Sequence, residues 1–86
     1  MKTKIELQQE IHELVRKNYK TSDCKYVSLT DAKDYAVILD SGLSIRNYPY
    51  VAKRILNAYP EIRTVMFIGG WQDYVYTRNT LKWLAV

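Results

Sequence analysis

One cysteine, one histidine, three glycines and two prolines in 86 residues remove most of the chemistry that a chain of this size could carry. Cys24 stands alone, so no internal disulfide can form and no zinc cage can rest on thiolates. His12 is the single histidine, and a nucleophilic pair would need it to meet Cys24 in space. His12 falls on the solvent side of a helical pattern beside Arg16, and Cys24 opens a strand-like run where a small apolar residue is welcome, so a surface histidine and a structural thiol are expected. Asp31, Asp34 and Asp40 are close in sequence but lack the glycine and the bidentate glutamate of a calcium loop. Gly69-Gly70 is too short to cradle a phosphate, and no G-x-x-x-x-G-K-[ST] or G-x-G-x-x-G pattern occurs. Neither a metal, a cofactor nor a catalytic set is expected, and the chain reads as a non-enzymatic protein.

Long apolar runs are also missing. MKTKIELQQE has no apolar h-region, and no segment approaches the length of about 18 apolar residues that a membrane span needs, so a cytoplasmic location is the expectation. There is no repeat, linker or low-complexity stretch, and two halves would each be too small to bury a useful core, which makes residues 1–86 one globular domain.

Acidic residues are scarce in the second half. Residues 1–40 carry seven Lys or Arg against seven Asp or Glu, whereas residues 41–86 carry six (Arg46, Lys53, Arg54, Arg63, Arg78, Lys82) against two (Glu61, Asp73). The entire net charge of +4 lies there, together with eight of the eleven aromatic residues. That combination points to an anionic partner, nucleic acid first.

Periodicity supplies the elements. Thr3 and Glu6 have the spacing of a capping box, and Leu7, Ile11, Leu14 and Val15 form one stripe, which predicts a helix over 4–19, supported by Glu13 and Lys17 four residues apart and by Lys17 and Lys20 at its negative end. KYVSL and YAVIL read as strands joined by TDAKD, although Thr30-Asp31-Ala32 also has the chemistry of a helix cap; Ser41-Gly42 closes the second run with a turn. NYPYVAKRILNAYP predicts a second helix, with Asn47 as N-cap and Pro49 in the first turn. Val51, Ile55, Ala58 and Tyr59 share one of its faces; Tyr50, Lys53, Arg54 and Asn57 share the opposite one. Residues 62–68 and 72–78 form a hairpin through Gly69-Gly70. Asn79 or Thr80 can start a short closing helix that buries Trp83 and Leu84. The sum is an α+β domain of order αββαββ, with a four-stranded, mainly antiparallel sheet and two helices on one face.

The hairpin divides into a face with Ile62, Thr64, Met66, Ile68, Asp73, Val75 and Thr77 and another with Arg63, Val65, Phe67, Gln72, Tyr74, Tyr76 and Arg78. If helices cover the first face, the second is an open aromatic platform flanked by arginines, able to stack bases. If helices cover the second, the tyrosines are core and the arginines lie at its rim. The leading expectation is a nucleic-acid-binding module using Tyr50, Lys53, Arg54, Arg63, Tyr74, Tyr76 and Arg78. The alternative is a protein-binding regulator, inhibitor or adaptor, homodimeric or anchored through Trp71 and Trp83, in the manner of small phage proteins that act on a larger host assembly.

Overall fold

In a computed structural model, which describes residues 2–19, 26–39, 44–69 and 72–84, the chain runs α1 (Lys4–Tyr19), β1 (Tyr26–Leu29), β2 (Tyr35–Leu39), α2 (Tyr48–Ala58), β3 (Thr64–Gly69) and β4 (Gln72–Thr77). Short 3-10 turns at Ile45–Asn47 and Asn79–Leu81 precede α2 and follow β4. The sequence expectations on Lys20, Cys24, Asp40, Ser41-Gly42, Gly70 and Trp71 lie outside the described residues.

The first helix starts where its capping box places it. The Glu6 N–H donates to Thr3 Oγ1 at 3.2 Å and the Thr3 N–H to Glu6 Oε1 at 3.1 Å, so two donors that helix geometry leaves free are satisfied reciprocally. Leu7, Ile11 and Val15 are buried and Leu14 half-buried, as the stripe requires. Glu13 comes within 3.9 Å of Arg16, not of Lys17, which the sequence spacing favours.

TDAKD folds as a turn and not as a helix cap: the Lys33 N–H donates to the Thr30 carbonyl and the Thr30 N–H to that of Tyr35. Lys33 takes a positive φ of 62° to close it. β1 and β2 then pair antiparallel, as do β3 and β4. The central pair, β2 with β3, is parallel, which makes the sheet mixed and qualifies the mainly antiparallel expectation. The cause is the connection: α2 lies between these strands and carries the chain back to the end where β2 began, and a strand that restarts there must run the same way.

Both helices lie on one side of the sheet, α1 over β1 and α2 over β3 and β4. Two cross-strand rows face them, Leu29–Ala36–Val65–Tyr76 and Val27–Ile38–Phe67–Tyr74. Tyr48, Val51, Ala52, Ile55, Leu56 and Tyr59 meet these rows from above. Ala58 is exposed, so the buried stripe of α2 is rotated toward Ala52 and Leu56 relative to the expected one. Asn47 occupies the N-cap position without a side-chain capping bond, because the preceding 3-10 turn gives it helical φ and ψ and the Tyr48 N–H already bonds the Ile45 carbonyl. Ile62 precedes β3, escapes the strand alternation and is fully buried with the helices instead of on the Met66 face. After β4, Leu81 and Leu84 share one side of the closing turn and are buried, whereas Trp83 points outward, 68% exposed, which corrects the expectation that it is buried with Leu84.

Candidate functional site

The helices cover the tyrosine face of the hairpin, so the sheet carries no open aromatic platform. Tyr48 of α2 stacks on Phe67 with centroids 4.2 Å apart and meets Tyr74 edge-on at 5.4 Å; Phe67 meets Tyr76 edge-on at 5.9 Å. Tyr74 and Tyr76 are half-buried members of this cluster. Burial raises the Tyr76 phenol above its ordinary 10.0, helped by the neighbouring Tyr74 and Tyr48.

Arg78 has a structural task. Its Nη1 donates to the Ile62 carbonyl at 2.7 Å, and its Nη2 donates to the carbonyls of Leu56 at 2.6 Å and Tyr59 at 3.3 Å. The last turn of α2 contains no cation of its own, and Arg78 supplies one from the end of β4. Arg63 stands one position beyond the Thr64–Thr77 pair, beside Arg78, and is exposed.

The remaining sequence candidates converge. Tyr50 is 45% exposed on the outer face of α2, and Arg54 and Asn57 are exposed beside it. Lys53, half-buried, donates from Nζ to the Leu81 carbonyl at 3.5 Å. That bond joins the middle of α2 to the closing turn, where Lys82 and Trp83 are exposed. Lys82 is an addition that sequence reasoning missed; its signal was the three-residue spacing of Leu81 and Leu84, which turns the intervening side chains outward. All charges from Ser44 to Tyr59 and from Tyr74 to Leu84 are positive. The ion pairs of the described residues join Lys2 to Glu10, Lys4 to Asp31 and Arg16 to Glu13, which leaves Arg46, Arg54, Arg63 and Lys82 without a carboxylate in reach among those residues.

Opposite in sign is a groove of about 530 Å³ on α1, lined by Glu6, Gln9, Glu10, Glu13, Leu14, Lys17 and Tyr59. Internal partners occupy Glu10, whose Oε1 accepts from Lys2 Nζ at 2.7 Å and from Tyr59 Oη at 3.3 Å. His12 is half-buried beside Gln8, Gln9 and Val27 rather than fully on the solvent side, and its pairing with Cys24 lies outside the described residues. Among the described residues no cluster of His, Cys, Asp or Glu could hold a metal ion, and no helix is long and apolar enough to cross a membrane. Compared with known proteins, the chain matches no family model, no curated protein and no solved structure.

Proposed function

We propose that this chain is a non-enzymatic binding module that contacts the phosphate backbone of nucleic acid through the outer face of α2 and the closing turn. Arg54, Lys82 and Arg46 supply positive charge that no carboxylate among the described residues pairs, Lys53 ties the turn to the helix, and Arg63 adds charge at the hairpin end. Tyr50 and Trp83 supply exposed rings on which bases can stack. The observation that carries this reading is the Lys53–Leu81 bond, because it links two acid-free segments, each with an exposed aromatic ring.

The test is binding of short single-stranded RNA, single-stranded DNA and duplex at two salt concentrations. About four phosphate contacts on a single strand give an affinity that falls roughly fifty-fold between about 50 and 200 mM salt. Absence of binding at low salt, or association that ignores salt, removes the proposal. A second reading has its own support: Trp83, 68% exposed, and Tyr50, 45% exposed, are side-chain types that anchor protein interfaces. A stoichiometric protein retained on the wild-type chain after nuclease treatment, and lost on Trp83→Ala, selects it.

A further inference from the structure

A surface of cations and exposed rings can take duplex or single-stranded nucleic acid, and the packing around α2 decides between them. At 3.6 residues per turn, Tyr50 and Asn57 lie seven residues and about 20° apart, and both are exposed, which makes them the outermost line of the helix. Lys53 falls to one flank of that line, Arg54 and Ala58 to the other. Both flanks have a neighbour. On the Lys53 side the closing turn is tied on by the 3.5 Å bond to the Leu81 carbonyl. On the Arg54 side α1 packs alongside, and between the helices lies a groove of about 390 Å³ lined by Leu14 of α1 and by Arg54, Asn57 and Ala58 of α2. A major groove about 12 Å wide admits a helix that projects from its protein, and α2, with a neighbour on each side, does not project.

We infer that the nucleic acid taken here is single-stranded and that one of its unpaired nucleotides seats in the groove between α1 and α2, an inference that rests on the phosphate-contact reading of this surface. The volume is within the roughly 300–1,000 Å³ of small-ligand sites. The lining matches the parts of a nucleotide. Leu14 and Ala58 supply an apolar wall for the flat face of a base, Arg54 a cation for its phosphate, and Asn57 an amide that donates and accepts at a base edge. Leu14 also lines the groove that contains Glu6, Glu10 and Glu13, whereas no carboxylate among the described residues lines this one, so an anion is drawn to the α2 side. Bases of a duplex are paired and stacked. None can enter the groove, or lie on Tyr50 or Trp83, without first leaving the stack. Phosphate contact is open to both forms, and ring and groove contact to the single strand alone. Each phosphate contact also costs a duplex more affinity as salt rises, with a slope of about 0.9 against about 0.7 for a single strand, so the preference widens with salt.

Fluorescence anisotropy of a labelled strand of about 12 nucleotides, alone and annealed to its complement, tests this with the full chain at about 50 and 200 mM salt. The free strand binds about tenfold or more tightly than the duplex, and the gap is larger at the higher salt. Ala58→Gln fills the groove from an exposed helix position without changing charge; it lowers single-strand affinity about fivefold or more and leaves duplex affinity unchanged. Asn57→Ala, also at an exposed position, has the same selectivity with a smaller loss. Duplex binding as tight as that of the single strand overturns the inference and leaves the phosphate-contact reading standing. Binding of neither form removes that reading and the inference with it. A single-strand preference that neither variant reduces, or variants that weaken strand and duplex equally, overturns the seat between the helices.

Discussion

A guanidinium holds five N–H donors in one plane, and at Arg78 three of the resulting bonds end on main-chain carbonyls of Leu56, Tyr59 and Ile62. A side chain that composition assigns to phosphate contact therefore closes α2 and pins it to the end of β4. Lysine keeps the charge but loses the fork, so it can satisfy only part of this set. Arg78→Ala is expected to lower unfolding free energy by about 1–2 kcal/mol, and Arg78→Lys by roughly half as much. Urea unfolding measures both. Equal stability of the three proteins would show that water satisfies these carbonyls as well. Glu6 is the other residue whose role is local and complete. Its carboxylate accepts the Thr3 N–H and bonds the Thr3 side chain within the capping box, which holds it below its ordinary 4.5. A depressed folded value means that this contribution is fully present above pH 4.5 and fades as pH falls through the lower folded value. Glu6→Gln keeps the cap geometry without the charge, so the acid limb of its stability curve should be shallower than that of the native chain.

At the scale of elements, what could be read from the sequence depended on how local the determining contacts were. Helix α1 was legible to the residue because its start rests on Thr3 and Glu6 and its burial on one stripe. The two β-hairpins were legible as strand pairs for the same reason. The parallel pairing of β2 with β3 was not, since it is set by where α2 returns the chain. Nor was the covered side of the hairpin, because both faces are apolar: Met66, Ile68 and Val75 compete with Val65, Phe67, Tyr74 and Tyr76. The decision is made by α2, whose Tyr48 stacks on Phe67 from a position that the sequence pattern placed only at the helix start. Of the candidate site, Tyr50, Lys53 and Arg54 were legible from one helical wheel, while Lys82 needed the closing turn to be folded against that helix. Two partly buried phenols, one in the aromatic cluster and one beside Glu10, have a pH signature. Burial raises both Tyr76 and Tyr59 above 10.0, so the stability that their neutral forms contribute is intact below pH 10.0 and is lost as pH rises through the folded values. Spectrophotometric titration should show phenols ionising later in the folded than in the denatured chain, and Tyr76→Phe should remove part of that lag. Phenols that all titrate together near 10.0 would contradict the buried placement of Tyr76.

For the whole molecule, the question is whether the location of charge matters or only its sum. Residues 1–40 are neutral and residues 41–86 carry the excess of +4, yet many proteins of that net charge associate weakly with polyanions through no particular surface. Two double variants separate these cases. Arg54→Glu with Lys82→Glu and Arg16→Glu with Lys17→Glu each remove four units and bring the net charge from +4 to 0. All four side chains are exposed, so neither change should move the melting temperature by more than about 4 °C. The first pair alters the surface formed by α2 and the closing turn; the second alters α1, where Lys17 borders the acidic groove. Binding through a defined surface predicts a loss of about tenfold or more for the first pair and little change for the second, read by fluorescence anisotropy of a labelled single strand at low salt. Long-range attraction by net charge alone predicts equal losses, because the screening length of about 10 Å at 0.1 M salt lets both surfaces contribute to a diffuse field but only a contact surface to bound geometry. A greater loss for the α1 pair would move the interface to that helix.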